Sequence, residues 1–156
     1  MQARMKNHQL TESQIEELLR TEKVGRLATI NPDGTPYVVP VHFVYSNGRI
    51  YIHGLSKGQK IDNILLNGAV CFEVDFMRGL VMHEKPCNVN TSYQSVVVNG
   101  VATLVDDVEV KRAALYKIVK KYASVLLEKE LPERSVTQTC VIEIRITACT
   151  GKYYEE

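Results

Sequence analysis

Net charge is nearly missing from this sequence. Nineteen Lys and Arg stand against eighteen Asp and Glu, leaving +1 at neutral pH, and so small an excess argues against a broad nucleic-acid-binding surface. Long apolar runs are missing too. The longest uncharged ones are only strand-sized, which excludes a membrane-spanning helix. Met1 to Leu10 is polar and charged rather than a secretory signal, and with no other address visible the chain is expected to be cytoplasmic. Cysteine is sparse: Cys71, Cys87, Cys140 and Cys149 form no C-x-x-C pair and no zinc spacing. His83 and Cys87 are four apart, but Pro86 breaks the helix needed to aim both at one ion, so no metal site is expected. Cys71 and Cys140 lie in the apolar runs V-C-F-E-V and C-V-I-E-I and read as buried free thiols. Repeats, linkers, low-complexity segments and a dinucleotide fingerprint are all lacking.

What is present suits one domain over residues 1–156, with residues 1–9 as a flexible N-terminus. Thr11 to Arg20 reads as a helix with Thr11 as N-cap, Gln14 as its capping-box partner, and Ile15, Leu18 and Leu19 as the apolar stripe. Val24 to Ile30 is a strand, followed by the turn Asn31-Pro32-Asp33-Gly34. Tyr37 to Tyr45 is the next strand, and Ser46-Asn47-Gly48 turns it into Arg49 to His53 as a hairpin. A short helix opens at Lys60 and stops at Asn67-Gly68. Ala69 to Asp75 and Val96 to Val105 are strands, the second with a bulge or tight bend at Gly100. Met77 to Thr91 is the least regular stretch. Asp106 or Asp107 caps a longer helix to about Lys129, whose Lys117, Lys120 and Lys121 read as a solvated face. Thr139 to Thr147 is the last strand. Six strands joined largely by hairpin-type turns favour an antiparallel sheet closed on itself, with helices covering its ends or one face.

Residues 49 to 67 carry the clearest chemistry. A β-prone run enters a loop holding Gly54, Ser56, Lys57 and Gly58, and Lys60 then opens a helix with Ile61, Ile64 and Leu65 on one face. Glycines let the backbone approach an anion, and the free N–H groups and positive end of a helix start favour one. Lys57 and Lys60 add charge. The loop therefore reads as the holder of a cofactor phosphate. Gly54 to Gly58 also fits the serine-hydrolase pattern G-x-S-x-G, but that reading fails: the only later histidine is His83, which leaves too little chain for the parallel sheet such an elbow sits on.

Gly25-Arg26-Leu27-Ala28-Thr29-Ile30, then Asp33-Gly34-x-Pro36 through Val41, the hairpin to His53 and Lys60-Ile61-Asp62-Asn63 together resemble the flavin-binding split-barrel family related to pyridoxamine 5′-phosphate oxidase. Ser95-Val96-Val97-Val98-x-Gly100 and Thr150-Gly151-Lys152 are similar to its 5-nitroimidazole resistance branch. The resemblance covers residues 10 to 153. It implies a mainly β (α+β) fold, a six-stranded antiparallel split β-barrel with flanking helices, which dimerises and holds FMN between subunits. It also implies cofactor-binding positions. Val38, Val39, Pro40 and Val41 would line the flavin through backbone groups, and Ile52 and His53 would lie along the ribityl chain and ring. Lys60, with Ser56 and Lys57, would meet the phosphate, and Ser95 would reach the cofactor from the later strand. Thr150 to Lys152 would approach from the C-terminal end.

Vitamin B6 oxidases of that family place basic residues along the flavin-lining strand and rely on a Trp- and Arg-containing C-terminal region. Here the strand ends are Tyr37 and His42, tryptophan is absent, and the chain closes on Gly-Lys-Tyr-Tyr-Glu-Glu. Oxidation of pyridoxine phosphate is therefore not expected. The resemblance implies an FMN-dependent oxidoreductase acting on a small electron-poor molecule, nitroimidazole-type drugs among the substrate classes. His53 is the expected catalytic group, a proton donor to the reduced substrate. An electron donor such as NAD(P)H would have to enter the flavin cleft itself. The alternative is a flavin- or haem-binding carrier or sensor without turnover.

Overall fold

Alternation builds the sheet. In strand β1 (Gly25–Ile30) the residues are alternately buried and more open, with Leu27 wholly inside and Arg26 outside, the period-two pattern of a half-buried strand. The computed structural model describes residues 6–155. Its strands are β1, β2 (Pro36–Val41), β3 (Phe43–Ser46), β4 (Arg49–Gly54), β5 (Ala69–Val81), β6 (Asn90–Leu104) and β7 (Cys140–Tyr154). They form one sheet in the order β2-β1-β5-β6-β7-β4-β3, every pair antiparallel.

Seven strands replace the expected six because Tyr37–Tyr45 is not one strand. Up to Val41 it pairs with β1, and from Phe43 onward with β4. Only His42 separates the two edge strands in the chain, so the sheet must curl until its edges meet there. That makes it a barrel split at His42. Two-residue turn geometry sets the β3–β4 register: Asn47 and Gly48 both have positive φ, 52° and 71°, which matches the twist of a tight hairpin.

The irregular stretch Met77–Thr91 is strand at both ends, Met77–Val81 and Asn90–Thr91. β5 and β6 continue past the barrel as a hairpin with a register shift at Met77/Gly79, and the turn between them holds a single 3-10 segment, Pro86–Asn88. The bulge expected at Gly100 is present. A Cβ there would lie 2.6 Å from Ile144 Cγ2 and 2.7 Å from the Arg145 carbonyl. β7 runs seven residues beyond Thr147, and its end pairs with the start of the described chain. The Leu10 N–H donates to the Gly151 carbonyl, and the Tyr153 N–H to that of His8. The end of the segment expected to be flexible, residues 1–9, is thus tied to β7, and residues 1–5 lie outside the described residues.

Helix α1 (Glu12–Thr21) carries the Thr11/Gln14 capping box. Helix α2 is Gln59–Leu66, and α3 is Val108–Tyr122, capped by Asp107. α3 ends seven residues earlier than its apolar pattern suggests. Val125 is 90% exposed, so there is no barrel surface left for that stripe to cover. A short helix α4 (Glu133–Gln138) follows Pro132 instead. The lysines of α3 are not one solvated face. Lys117 donates to Ser46 Oγ, and Lys121 donates to the Leu19 carbonyl while its ammonium lies 3.8 Å above the Phe43 ring. Burial lowers the Lys121 pKa to about 8.

The barrel interior holds Leu27, Phe43, Ile50, Ile52, Phe72, Val74, Val96, Val98, Ile142 and Ile144, each stabilising the fold by about 1.5–3 kcal/mol. A second cluster, Val44, Tyr51, Ala114, Ile118 and Val141, fixes α3 to the outside of β3, β4 and β7. Cys140 is buried as expected, whereas Cys71 is only partly so. Among the described residues no helix is long and apolar enough to cross a membrane.

Candidate functional site

Ile52 and Ile50 point into the barrel, so alternation turns His53 outward at the end of β4. Ile52, expected along the cofactor, has its side chain 1% exposed inside the core and can offer only backbone. After Gly54 the chain leaves the sheet and starts α2. Gly58 is the N-cap with φ 130° and no side-chain cap bond. Its carbonyl accepts from the Ile61 and Asp62 N–H groups. The N–H groups of Gln59 and Lys60, in the first turn, have no intrahelical acceptor. A Cβ at Gly58 would meet nothing within 4 Å, so the loop is open to a ligand.

A hollow of ≈ 490 Å³ lies here, lined by Gly54, Leu55, Ser56 and Lys57 and, across from them, Ser135, Gln138 and Thr139. Lys60 folds back so that its ammonium is 3.9 Å from where a Gly54 Cβ would sit. Lys57 and the hydroxyl residues Ser56, Ser135 and Thr139 line this small space, and the Lys60 ammonium and the start of α2 lie beside its Gly54–Lys57 wall. A phosphate monoester fits that donor set.

Strand β2 borders the site as an edge strand, among the described residues paired only with β1. Its other row of N–H and C=O groups is open to a ligand. Of the four residues expected to line a cofactor, Val38 and Pro40 present exposed side chains. Val39 lies opposite Leu27 and Val41 packs against the core, so these two contribute backbone.

His42 and His53 meet at the split. The pairing of Phe43 with Ile52, continued one step, sets His42 opposite His53. His42 stacks on Tyr122 at 4.6 Å and 22°. The Tyr122 hydroxyl accepts from the Phe43 N–H at 2.8 Å and donates back to the Phe43 carbonyl at 2.7 Å. Burial, and secondarily the neighbouring His42, hold the His53 pKa below its ordinary value, so the imidazole is mainly neutral at pH 7. Sequence reasoning did not find the His42–Tyr122 partnership or the α4 residues. The tight turn at Asn47-Gly48 would have placed His42 by counting back along the hairpin, and Leu131-Pro132-Glu133 carried a helix-start signal for α4.

Ser95 is not brought to this place. The Val105 N–H bonds to the Val141 carbonyl, and Val141 pairs with His53, so His53 lies level with residue 105 while Ser95 is ten residues back along the same stretch. At about 3.3 Å per residue that is up to roughly 33 Å of strand. Ser95 instead pairs with Lys152, near Thr150 and Gly151. His83, the partner a hydrolase reading of Ser56 would need, sits in the β5–β6 turn, where its Nδ1 accepts from the Lys85 N–H.

Three comparisons place these features among known proteins. A reductase of 5a,11a-dehydrotetracycline and 5a,11a-dehydrooxytetracycline from Streptomyces rimosus is 34% identical over 88 residues, 54% of this chain and 56% of that one. The match therefore spans about half of that relative's length. A solved structure described as a candidate 5-nitroimidazole antibiotic resistance protein from Bacteroides thetaiotaomicron aligns with TM-score 0.77 and 25% identity, over 92% of this chain and 85% of that chain. The FAD and heme binding protein of Mycobacterium smegmatis shares the fold, with TM-score 0.86 at 17% identity over 96% of this chain and 74% of that chain. The family model described as "Pyridoxamine 5'-phosphate oxidase" matches residues 11–153, nearly every element of the split barrel, and the chain belongs to that family.

Proposed function

We propose that this protein is a cytoplasmic, FMN-dependent oxidoreductase that reduces a small electron-poor molecule, with nitroimidazole-type nitro compounds as the substrate class. One observation carries the reading: the cationic hollow at the start of α2 lies beside an open edge strand and an outward histidine. Those parts match the phosphate, the polar ring edge and the reacting end of one cofactor. The reductase relative supports the class of reaction, and the likeness to the candidate 5-nitroimidazole resistance protein of B. thetaiotaomicron supports the substrate class.

When bound, the flavin supplies the electron transfer. The chain supplies the rest. Ser56, Lys57, Lys60 and the first amides of α2 hold the phosphate. The open backbone of β2 orients the ring, while Val38 and Pro40 exclude water. His53 delivers a proton, since reducing R–NO2 to R–NO consumes two electrons and two protons and releases water. With NAD(P)H as donor, the hydride accounts for both electrons and one proton, and the second proton comes from solvent through His53. Ser95 cannot serve the same cofactor from its own chain. A homodimer with FMN at the subunit interface lets a partner supply it. The exposed Phe76, Met77, Leu80 and Met82 on the projecting hairpin are the kind of surface such contacts bury.

An absorbance spectrum before and after FMN titration is the first test. Saturation near one FMN per chain, then bleaching by NAD(P)H and recovery on adding a nitroimidazole, is the expected result. FMN binding without any reduction would leave a carrier or sensor instead, and no binding would end the FMN assignment. His53→Ala is expected to retain flavin and lose reductase activity by roughly 10²-fold or more. Unchanged turnover would remove His53 from the mechanism.

A further inference from the structure

Asn63 is a polar side chain with no exposed surface, on the helix that carries Lys60. Its amide is fully engaged. Nδ2 donates to Thr29 Oγ1 at 3.0 Å and to Asn31 Oδ1 at 2.8 Å, and Oδ1 accepts from Gln59 Nε2 at 3.0 Å. The bonds continue outward. Gln59 Nε2 also donates to Asn31 Oδ1, Asn31 Nδ2 donates to Thr35 Oγ1, and Thr29 Oγ1 donates to the Tyr37 carbonyl at 3.5 Å. One network, buried at Asn63 and Thr29 and open to solvent at Gln59 and Thr35, therefore joins the first turn of α2 to the end of β1, to its turn and to β2.

We propose that Asn63 is a positioning residue that fixes the anion-binding start of α2 against edge strand β2, setting the distance between the phosphate end and the ring end of one phosphorylated ligand. This rests on the phosphate-holding reading of the α2 loop. Packing alone would not set that distance. Ile61 and Ile64 already bury the apolar face of α2, and apolar contacts tolerate sliding and rotation of a short helix. Hydrogen bonds to Thr29 and Asn31 do not, because each has one workable length and direction. Gln59 and Asn63 lie one turn apart and share Asn31 Oδ1, so the network also pins the rotation of α2 about its axis, and with it the direction of the Gln59 and Lys60 N–H groups.

The test compares FMN with riboflavin, which lacks only the phosphate. Binding constants for both are measured by flavin fluorescence on the full chain and on Asn63→Ala and Asn63→Leu, alongside thermal melts. The expected result is that the preference for FMN over riboflavin falls about tenfold or more, while riboflavin affinity changes much less. A parallel loss for both ligands, or an unchanged preference, overturns the inference and leaves Asn63 as an ordinary buried tie. If Asn63 variants do not fold, Thr29→Val and Gln59→Leu, which each remove part of the network, take their place with the same two outcomes. A wild-type chain that binds neither flavin, or both equally, sinks the phosphate reading and this inference together. Failure of the inference alone appears only as a wild-type preference that the variants keep.

Discussion

His53 stands out at the residue scale because its surroundings pull against its assigned task. Burial and His42 lower its pKa, yet a proton donor works best when charged at the working pH. Replacing His42 by Gln removes one of the two causes. The His53 titration midpoint, followed by NMR, is expected to move up, and the reductase rate to hold to a higher pH before it declines. No movement would show that burial alone sets the value. The sign for stability follows from the same shift. The folded protein takes up the His53 proton less readily than the unfolded chain, so this residue's contribution is lost as pH falls through the ordinary histidine range. Lys60 makes the other residue-scale prediction. Its ammonium is folded over Gly54 at the mouth of the hollow, and a charge-assisted bond of that kind contributes about 1.5–3 kcal/mol. Lys60→Ala is then expected to weaken FMN binding roughly tenfold to a hundredfold, with riboflavin binding little changed. Equal loss for both ligands would point to another phosphate anchor.

At the element scale, local rules were reliable where an element is set by its own ends. The Thr11 capping box, the Asn47-Gly48 turn and the Gly100 bulge all formed as the residues dictate. They fared worse where length depends on what lies alongside. β5, β6 and β7 run past the barrel because each finds a neighbour to pair with, which no window of sequence reveals. α3 stops short where Val125, late in its apolar pattern, finds nothing to cover. Gly100 offers a direct check. A methyl group there would press on Ile144 and on the Arg145 carbonyl, within 2.7 Å of each, so Gly100→Ala is expected to destabilise by at least about 1–3 kcal/mol in urea unfolding. A stability equal to wild type would mean that the β6–β7 bulge can relax more than its close packing suggests.

For the whole molecule, the consequence of closure is that β2 and β3, neighbours in the chain, become the two lips of the split. His42 and His53 face each other there, while Ser95 is carried to the far end of the long strands. The homodimer proposal predicts a particle of twice the 17.6 kDa chain mass by light scattering, and a loss of FMN affinity on Ser95→Ala that appears only in the dimer. A stable monomer that binds FMN tightly would remove both the interface site and the role of Ser95. Pyridoxine phosphate is expected to remain unoxidised, since no basic side chain stands on β2 and no tryptophan occurs in the chain. Rapid turnover of that compound by the purified protein would refute this.

Much of this protein was determined by the sequence alone. Alternating apolar residues, capped helix starts and Asn-Gly turns act over a few positions, so the antiparallel sheet, the helices α1 and α2 and the Gly54–Lys60 loop were legible. Family membership was legible as well, because ordered motifs extend along nearly all of it. The tertiary structure alone decided three things: that Tyr37–Tyr45 divides at His42, that Asn63 locks α2 to β1, and that Ser95 lies beyond reach of His53. Each depends on which strands become neighbours when the sheet curls, and that is settled by burial summed over the whole barrel rather than by any local run of residues.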